Sequence, residues 1–172
     1  MKKITRQHAI EMFRNLGAMA LGHLDETTLS AVLDNFDKFR TVQDDFQKLS
    51  QELSKRLYEG KDEEQKQKFF ELVVKFEKAE TLEQKVEQEK TMKETYPEFY
   101  ELYAKQIKVL TQMLHKEIEI DITEVDKDAF ISGVVKGKKD APVHEIVGFF
   151  APIFKEEENV ATDLSELDEY FK

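Results

Sequence analysis

The sequence has no cysteine and no tryptophan, and only six glycines and three prolines among 172 residues. Without cysteine there is no disulfide framework, no thiolate zinc site and no cysteine nucleophile. With glycine and proline below their usual shares of about 7% and 5%, turns are few and the elements between them long. Long apolar runs are missing as well. Nowhere do ~18 uncharged apolar residues follow one another, so no membrane span is expected. The first residues, through Arg14, lack the apolar stretch of a signal peptide. A cytoplasmic protein in a reducing compartment fits these absences.

Charge is what the sequence has in excess. Asp, Glu, Lys and Arg make up 36% of it, and the net charge is −10. Residues 1–25 carry Lys2, Lys3, Arg6 and Arg14 against Glu11 and Asp25, a balance of +2. Residues 155–172 carry Glu156, Glu157, Glu158, Asp163, Glu166, Asp168 and Glu169 against Lys155 and Lys172, a balance of −5. Nucleic-acid binding needs Lys and Arg gathered on one face, and an acidic chain is repelled by phosphate. Neither nucleic acid nor an anionic membrane surface is therefore an expected partner.

Apolar spacing then divides the chain. Ile10, Phe13, Ala18 and Leu21 make a helical stripe over 5–21, with Gly22 as its stop. Asp25 stands at the N-cap of a helix predicted to reach Tyr58. Leu29, Val32, Leu33, Phe36, Phe39, Phe46, Leu49, Leu53 and Leu57 mark one face of it. At ~1.5 Å per residue that helix is a rod of about 50 Å, longer than a compact domain needs. Glu59-Gly60-Lys61-Asp62 is the turn, with Gly60 at the left-handed C′ position and Asp62 as the next cap. So short a turn sends the next helix back antiparallel.

That returning helix opens with Phe69, Phe70, Val73, Val74 and Phe76, then thins over 77–95 into a solvated stretch. A break is predicted at Thr81, which forms a capping box with Gln84. Thr95-Tyr96-Pro97-Glu98 punctuates the chain, with Thr95 and Glu98 spaced as a second box, and a further helix runs to about His115. The period changes at 117–122, where Ile118, Ile120 and Ile122 alternate with acids as in a half-buried strand. That strand needs a partner, either 135–143 of the same chain or the same strand of a second subunit. Asp126 caps a short helix through Val135, and a second apolar helix is predicted over 143–154. The fold class is therefore mainly α, a long antiparallel helical hairpin or bundle with a small C-terminal α+β module. The expected divisions are a helical body over 1–116, a strand-plus-helices module over 117–154 that shares its core, and an acidic tail over 155–172.

Chemistry is sparse. His8 and Glu11 share a helix face, but two ligands make no metal site, and neither HExxH nor ExxH occurs. His23, His115 and His144 fall near element ends and read as surface histidines. Asp121, Glu124, Asp126 and Asp128 fail as a calcium loop, because Ile131 occupies the glycine position. Gly133 to Lys139 departs from a phosphate loop by one residue and lacks the Ser or Thr after the lysine. No G-x-S-x-G elbow is present, and Ser30, Ser50 and Ser54 fall within the long helix. No catalytic, cofactor-binding or metal-ligating residue is expected. Thirteen phenylalanines read as core, with Phe36, Phe39 and Phe46 facing Phe69, Phe70 and Phe76 across the hairpin seam.

The order of elements resembles a family of small uncharacterised helical proteins encoded by bacterial phages and prophages. The matching stretches are the long helix over 29–58, the arm over 99–114, the I-x-I-x-I strand over 117–122 and the apolar segment over 143–154. The resemblance implies a phage or mobile-element gene product with an assembly or host-interaction role, cytoplasmic or virion-associated.

The reading is a non-enzymatic structural or interaction protein. Its expected self-association face, in the manner of a coiled coil, is Leu29, Phe36, Phe39, Phe46, Leu49 and Leu53. The alternative is a hydrolase or transferase with an unrecognised site, whose signature is a pocket holding two histidines or a tight carboxylate pair. An acidic decoy of nucleic acid ranks last, since the body from 26 to 116 nearly balances its charge. In the tail, Leu164, Leu167, Tyr170 and Phe171 fall at i, i+3, i+6 and i+7. They either dock on the chain's own core or form a peptide that folds on a partner protein.

Overall fold

The lone strand finds its partner at the other end of the chain. In the structure, a computed structural model that describes residues 1–156, β1 (Lys2–Thr5) pairs antiparallel with β2 (Glu117–Ile120). Ile4 lies opposite Ile118 and Lys2 opposite Ile120. This corrects both expected partners, 135–143 and a second subunit. Four residues with a single buried side chain, Ile4, carry too little alternation to be seen in the sequence. They also run straight into the next element. Thr5 ends the strand and caps α1 (Arg6–Ala18), its Oγ1 accepting from the His8 N–H. The helix closes at Met19, in extended backbone, and not at Gly22.

Asp25 caps α2 (Glu26–Leu57) as expected, its carboxylate accepting from both the N–H and the hydroxyl of Thr28. Those bonds hold the Asp25 carboxyl below its ordinary range. Gly60 has φ +73°, the left-handed turn that its lack of a Cβ permits. Asp62 caps α3 (Glu63–Lys78), and the capping box of Thr81 and Gln84 opens α4 (Leu82–Thr95). The second predicted box is absent. Thr95 is still helical, Tyr96 caps α5 (Pro97–His115) without a side-chain bond, and Glu98 pairs with Lys61 instead.

The turn at 59–62 does not bring the two sets of phenylalanines together, which corrects the expected seam: Phe36 and Phe39 pack in one cluster and Phe69, Phe70 and Phe76 in another. α2 packs against α1 and α5, while α3 packs against α4. Along the first half of α2 the partner is α1: Phe13 and Phe36 meet at 4.8 Å between ring centroids. The physical reason lies in which apolar faces compete. α1 supplies Ala9, Met12 and Leu16, all buried, to the cluster that takes in Phe36 and Phe39 of α2.

Two buried clusters result. The first joins α1, the near half of α2 and both strands to the residues from Val125 to Phe154. Phe130 centres it, with Phe150 and Phe154 at 5.7 and 5.5 Å. The second gathers Tyr58, Phe69, Val73, Met92 and Phe99 at the far end of α2. Within the first, α6 (Lys127–Gly137) is capped by Asp126. It presses on the loop after α1 so closely that a Cβ on Gly133 would fall 2.4 Å from Leu24 Cδ2. α7 (Val143–Phe149) is shorter than the helix predicted over 143–154, since a 3-10 turn at Ala151–Ile153 takes over. That turn carries Phe154 into a parallel bridge with Val125, which donates its N–H to Ile153 at 2.8 Å. Among the described residues no helix is long and apolar enough to cross a membrane.

Candidate functional site

Two helix ends that lack side-chain caps leave a concavity between them. α1 stops at Met19, and α7 starts at Pro142 without a side-chain cap bond. Between them and the end of α6 opens a groove of about 770 Å³. Met19, Val134, Ile146, Phe149 and Phe150 give it an apolar floor, and Asn15, Lys138 and Glu145 stand at its polar rim. Ala18 and Ala20 add small side chains on the α1 side, both exposed. Lys138 and Glu145 are the charged residues of the lining, one of each sign.

His8 fixes the α7 wall. Its Nε2 lies 2.7 Å from the Phe149 carbonyl oxygen, and its ring sits 5.1 Å from the Phe149 ring. A carbonyl only accepts, so Nε2 carries the proton and donates. This role escaped the sequence reading, because the partner is a backbone atom 141 residues away. Lys2 anchors the following turn in the same way, donating from Nζ to the Phe154 carbonyl at 3.0 Å. The other histidines are exposed: His23 before α2, His115 at the end of α5, His144 on α7. The groove lining contains no histidine. Among the described residues no group of three or more His, Asp or Glu is placed to hold a metal ion.

The expected self-association face is split by its own chain. Phe39 is fully buried, and Leu29 and Phe36 pack against the first cluster, so these three face inward. α1 covers them, which the sequence reading did not allow for. Phe46 and Leu53 are half-buried and Leu49 is 42% exposed. The docking residues Leu164, Leu167, Tyr170 and Phe171 lie outside the described residues.

The second cluster is aromatic, with Tyr58 buried and Tyr100 and Tyr103 half-buried. Tyr58 is buried, and its hydroxyl reaches Gln106 Oε1 at 3.3 Å. Burial pushes its ionisation up to about 12, with Tyr103 adding to the shift. Burial also raises Tyr103, and the hydrogen bond to Glu89 at 2.6 Å raises Tyr100. A folded-state value raised in this way favours the neutral phenol. Its contribution is complete below the unfolded value of ~10 and is lost as pH rises through the folded one. An absorbance titration of phenolate should therefore show Tyr58, Tyr100 and Tyr103 ionising late, together with loss of α3–α5 helicity. A single step near the ordinary tyrosine value would contradict this arrangement.

Comparison with known proteins gives no significant match to a family model, to a curated protein or to a solved structure.

Proposed function

We propose that this chain is a non-catalytic interaction protein that receives an amphipathic protein segment in the groove between α1, α6 and α7. The observation that carries the reading is the groove itself, an apolar floor beneath a rim of Lys138, Asn15 and Glu145. Its volume falls in the range of ligand-binding clefts. A helix laid into such a groove anchors through residues at i, i+3 and i+7. Lys138 and Glu145 at the rim can each pair with an opposite charge on the flank of such a segment. The resemblance to phage and prophage helical proteins supplies a setting, virion assembly or contact with a host protein.

A displayed peptide library tests this, with the intact chain as bait and the Ala18→Glu variant as counter-bait. Ala18 is exposed on α1 and lines the groove, so the change narrows the groove without opening the core. Amphipathic peptides should bind the intact chain about tenfold more tightly than the variant, a difference of ~1.4 kcal/mol. Equal recovery on both baits overturns the groove as the binding site.

A further inference from the structure

We infer that the middle of α2, with the part of α5 that returns along it, is a dimer face covered by a second copy of this chain about a two-fold axis. Between Phe39 and Tyr58, α2 carries no buried side chain, and α5 carries none beyond Phe99. At ~1.5 Å per residue, the stretch 40–57 makes about 27 Å of helix without a core. At one end of it Phe99 stacks on Tyr58, 6.2 Å between ring centroids, and toward the other the Met113 carbonyl takes the Arg6 guanidinium. Phe46, Leu49 and Leu53 share one side of α2 at i, i+3 and i+7, and Val109, Leu110 and Met113 are half-buried on α5. None of these six belongs to either buried cluster, and none lines the groove. Two helices side by side make one layer, and the apolar face of a layer is buried only by a second.

Size and charge select a second copy as that layer. Two helices, each ~10 Å wide, over ~27 Å offer about 500 Å² per copy and about 1,000 Å² in all, the lower edge of a specific interface. Over 40–57, α2 carries Arg40, Lys48, Lys55 and Arg56 against Asp44, Asp45 and Glu52, and α5 adds Lys105 and Lys108 against Glu101. Signs so mixed do not repel their own copy, as the chain's net charge of −10 would. They are also ordered. Asp45 and Arg56 are three helical turns apart, so they stand on one flank of the apolar stripe, at its two ends. An antiparallel copy, with the axis beside Ser50 and Gln51, sets Asp45 against Arg56 of the partner subunit and Arg56 against the partner's Asp45. Within one chain Arg56 Nε holds Glu52 at 2.8 Å and Lys48 Nζ lies 3.7 Å from Asp45, exposed pairs too weak to oppose the exchange. Joined in this way, α2 and α5 of both copies make a four-helix bundle.

Sedimentation equilibrium of the full-length chain should show monomer–dimer exchange with a dissociation constant on the order of micromolar. Leu49→Glu, at an exposed position, should weaken the dimer about tenfold. Asp45→Arg and Arg56→Asp should each weaken it by about threefold or more, and the two together should restore the parental value. Both positions are exposed, so the charge variants carry the test if Leu49→Glu fails to fold. A monomer at every concentration up to about 0.1 mM overturns the inference. A dimer that ignores all three variants is built on another surface and also overturns it. Charge variants that weaken the dimer singly and do not recover together overturn the two-fold register. The chain has no cysteine, so Leu49→Cys introduces a single thiol. A monomer in which that thiol resists alkylation puts the chain's own residues over the face and overturns the second copy.

Discussion

Phe69→Ala is expected to remove about 3–5 kcal/mol of stability, the range for a fully buried phenylalanine whose cavity cannot collapse. Phe69 is fully buried, and its ring meets those of Phe70, Phe99, Tyr103 and Tyr96 at 5.6, 5.8, 6.0 and 6.3 Å. Those rings come from α3, from α5 and from the residue between α4 and α5, so the alanine would leave a void that no single helix can close. The loss should also be local. Buried side chains fall into two clusters that draw on opposite ends of α2, and Phe69 belongs only to the far one. Amide exchange should therefore quicken through α3, α4 and α5 while α1 and α6 keep their protection. Denaturant unfolding measures the total, and exchange measures its distribution. A loss below about 1 kcal/mol, or equal exchange gains in α1, would contradict a separate aromatic core at this end.

The legible parts of this fold are those that local chemistry decides. Asp25, Gly60, Asp62, Thr81 and Asp126 each act through atoms within four residues of themselves, and each sits where the sequence places it. The length of α2 and the break before α4 follow from the same local rules. What the sequence hides is which apolar face meets which. The stripe on α2 is equally suited to α1, α3 or α5, and periodicity holds no preference among them. Long-range pairing settles it, through β1 and β2, which bring the N-terminus to the end of α5. Arg6 reinforces that junction by donating from its backbone N–H to the Lys116 carbonyl and from its guanidinium to the Met113 carbonyl. The groove is hidden for the same reason. Its walls come from residues near 18 and near 146, and only the packed fold shows that they adjoin. Its lining cation, Lys138, caps the end of α6, where the local pattern marks only a helix stop.

Asn35→Ala should cost about 1–3 kcal/mol for each backbone group it orphans. Asn35 is the buried polar side chain of α2 that reaches the strand exit. Its Nδ2 donates to the Thr123 carbonyl at 2.7 Å, and its Oδ1 accepts from the Thr123 N–H at 2.8 Å. This two-point clasp replaces the strand pairing expected through Ile122, and β2 ends at Ile120. The Thr123 hydroxyl makes a separate set of contacts at the surface, donating to Asp34 and accepting from Lys38 Nζ at 2.9 Å. Bonds from Lys38 and Thr123 hold the Asp34 carboxyl below its ordinary range. Its contribution is therefore present above the unfolded carboxylate value of ~3.9 and disappears as pH falls through the lower folded one. Exposed pairs of this kind contribute little, ~0–1 kcal/mol. Thr123→Ala removes the hydroxyl contacts and keeps the backbone clasp, so it should cost much less than Asn35→Ala. Equal losses in urea unfolding would mean that the surface contacts hold the junction, and the clasp would lose its assigned role.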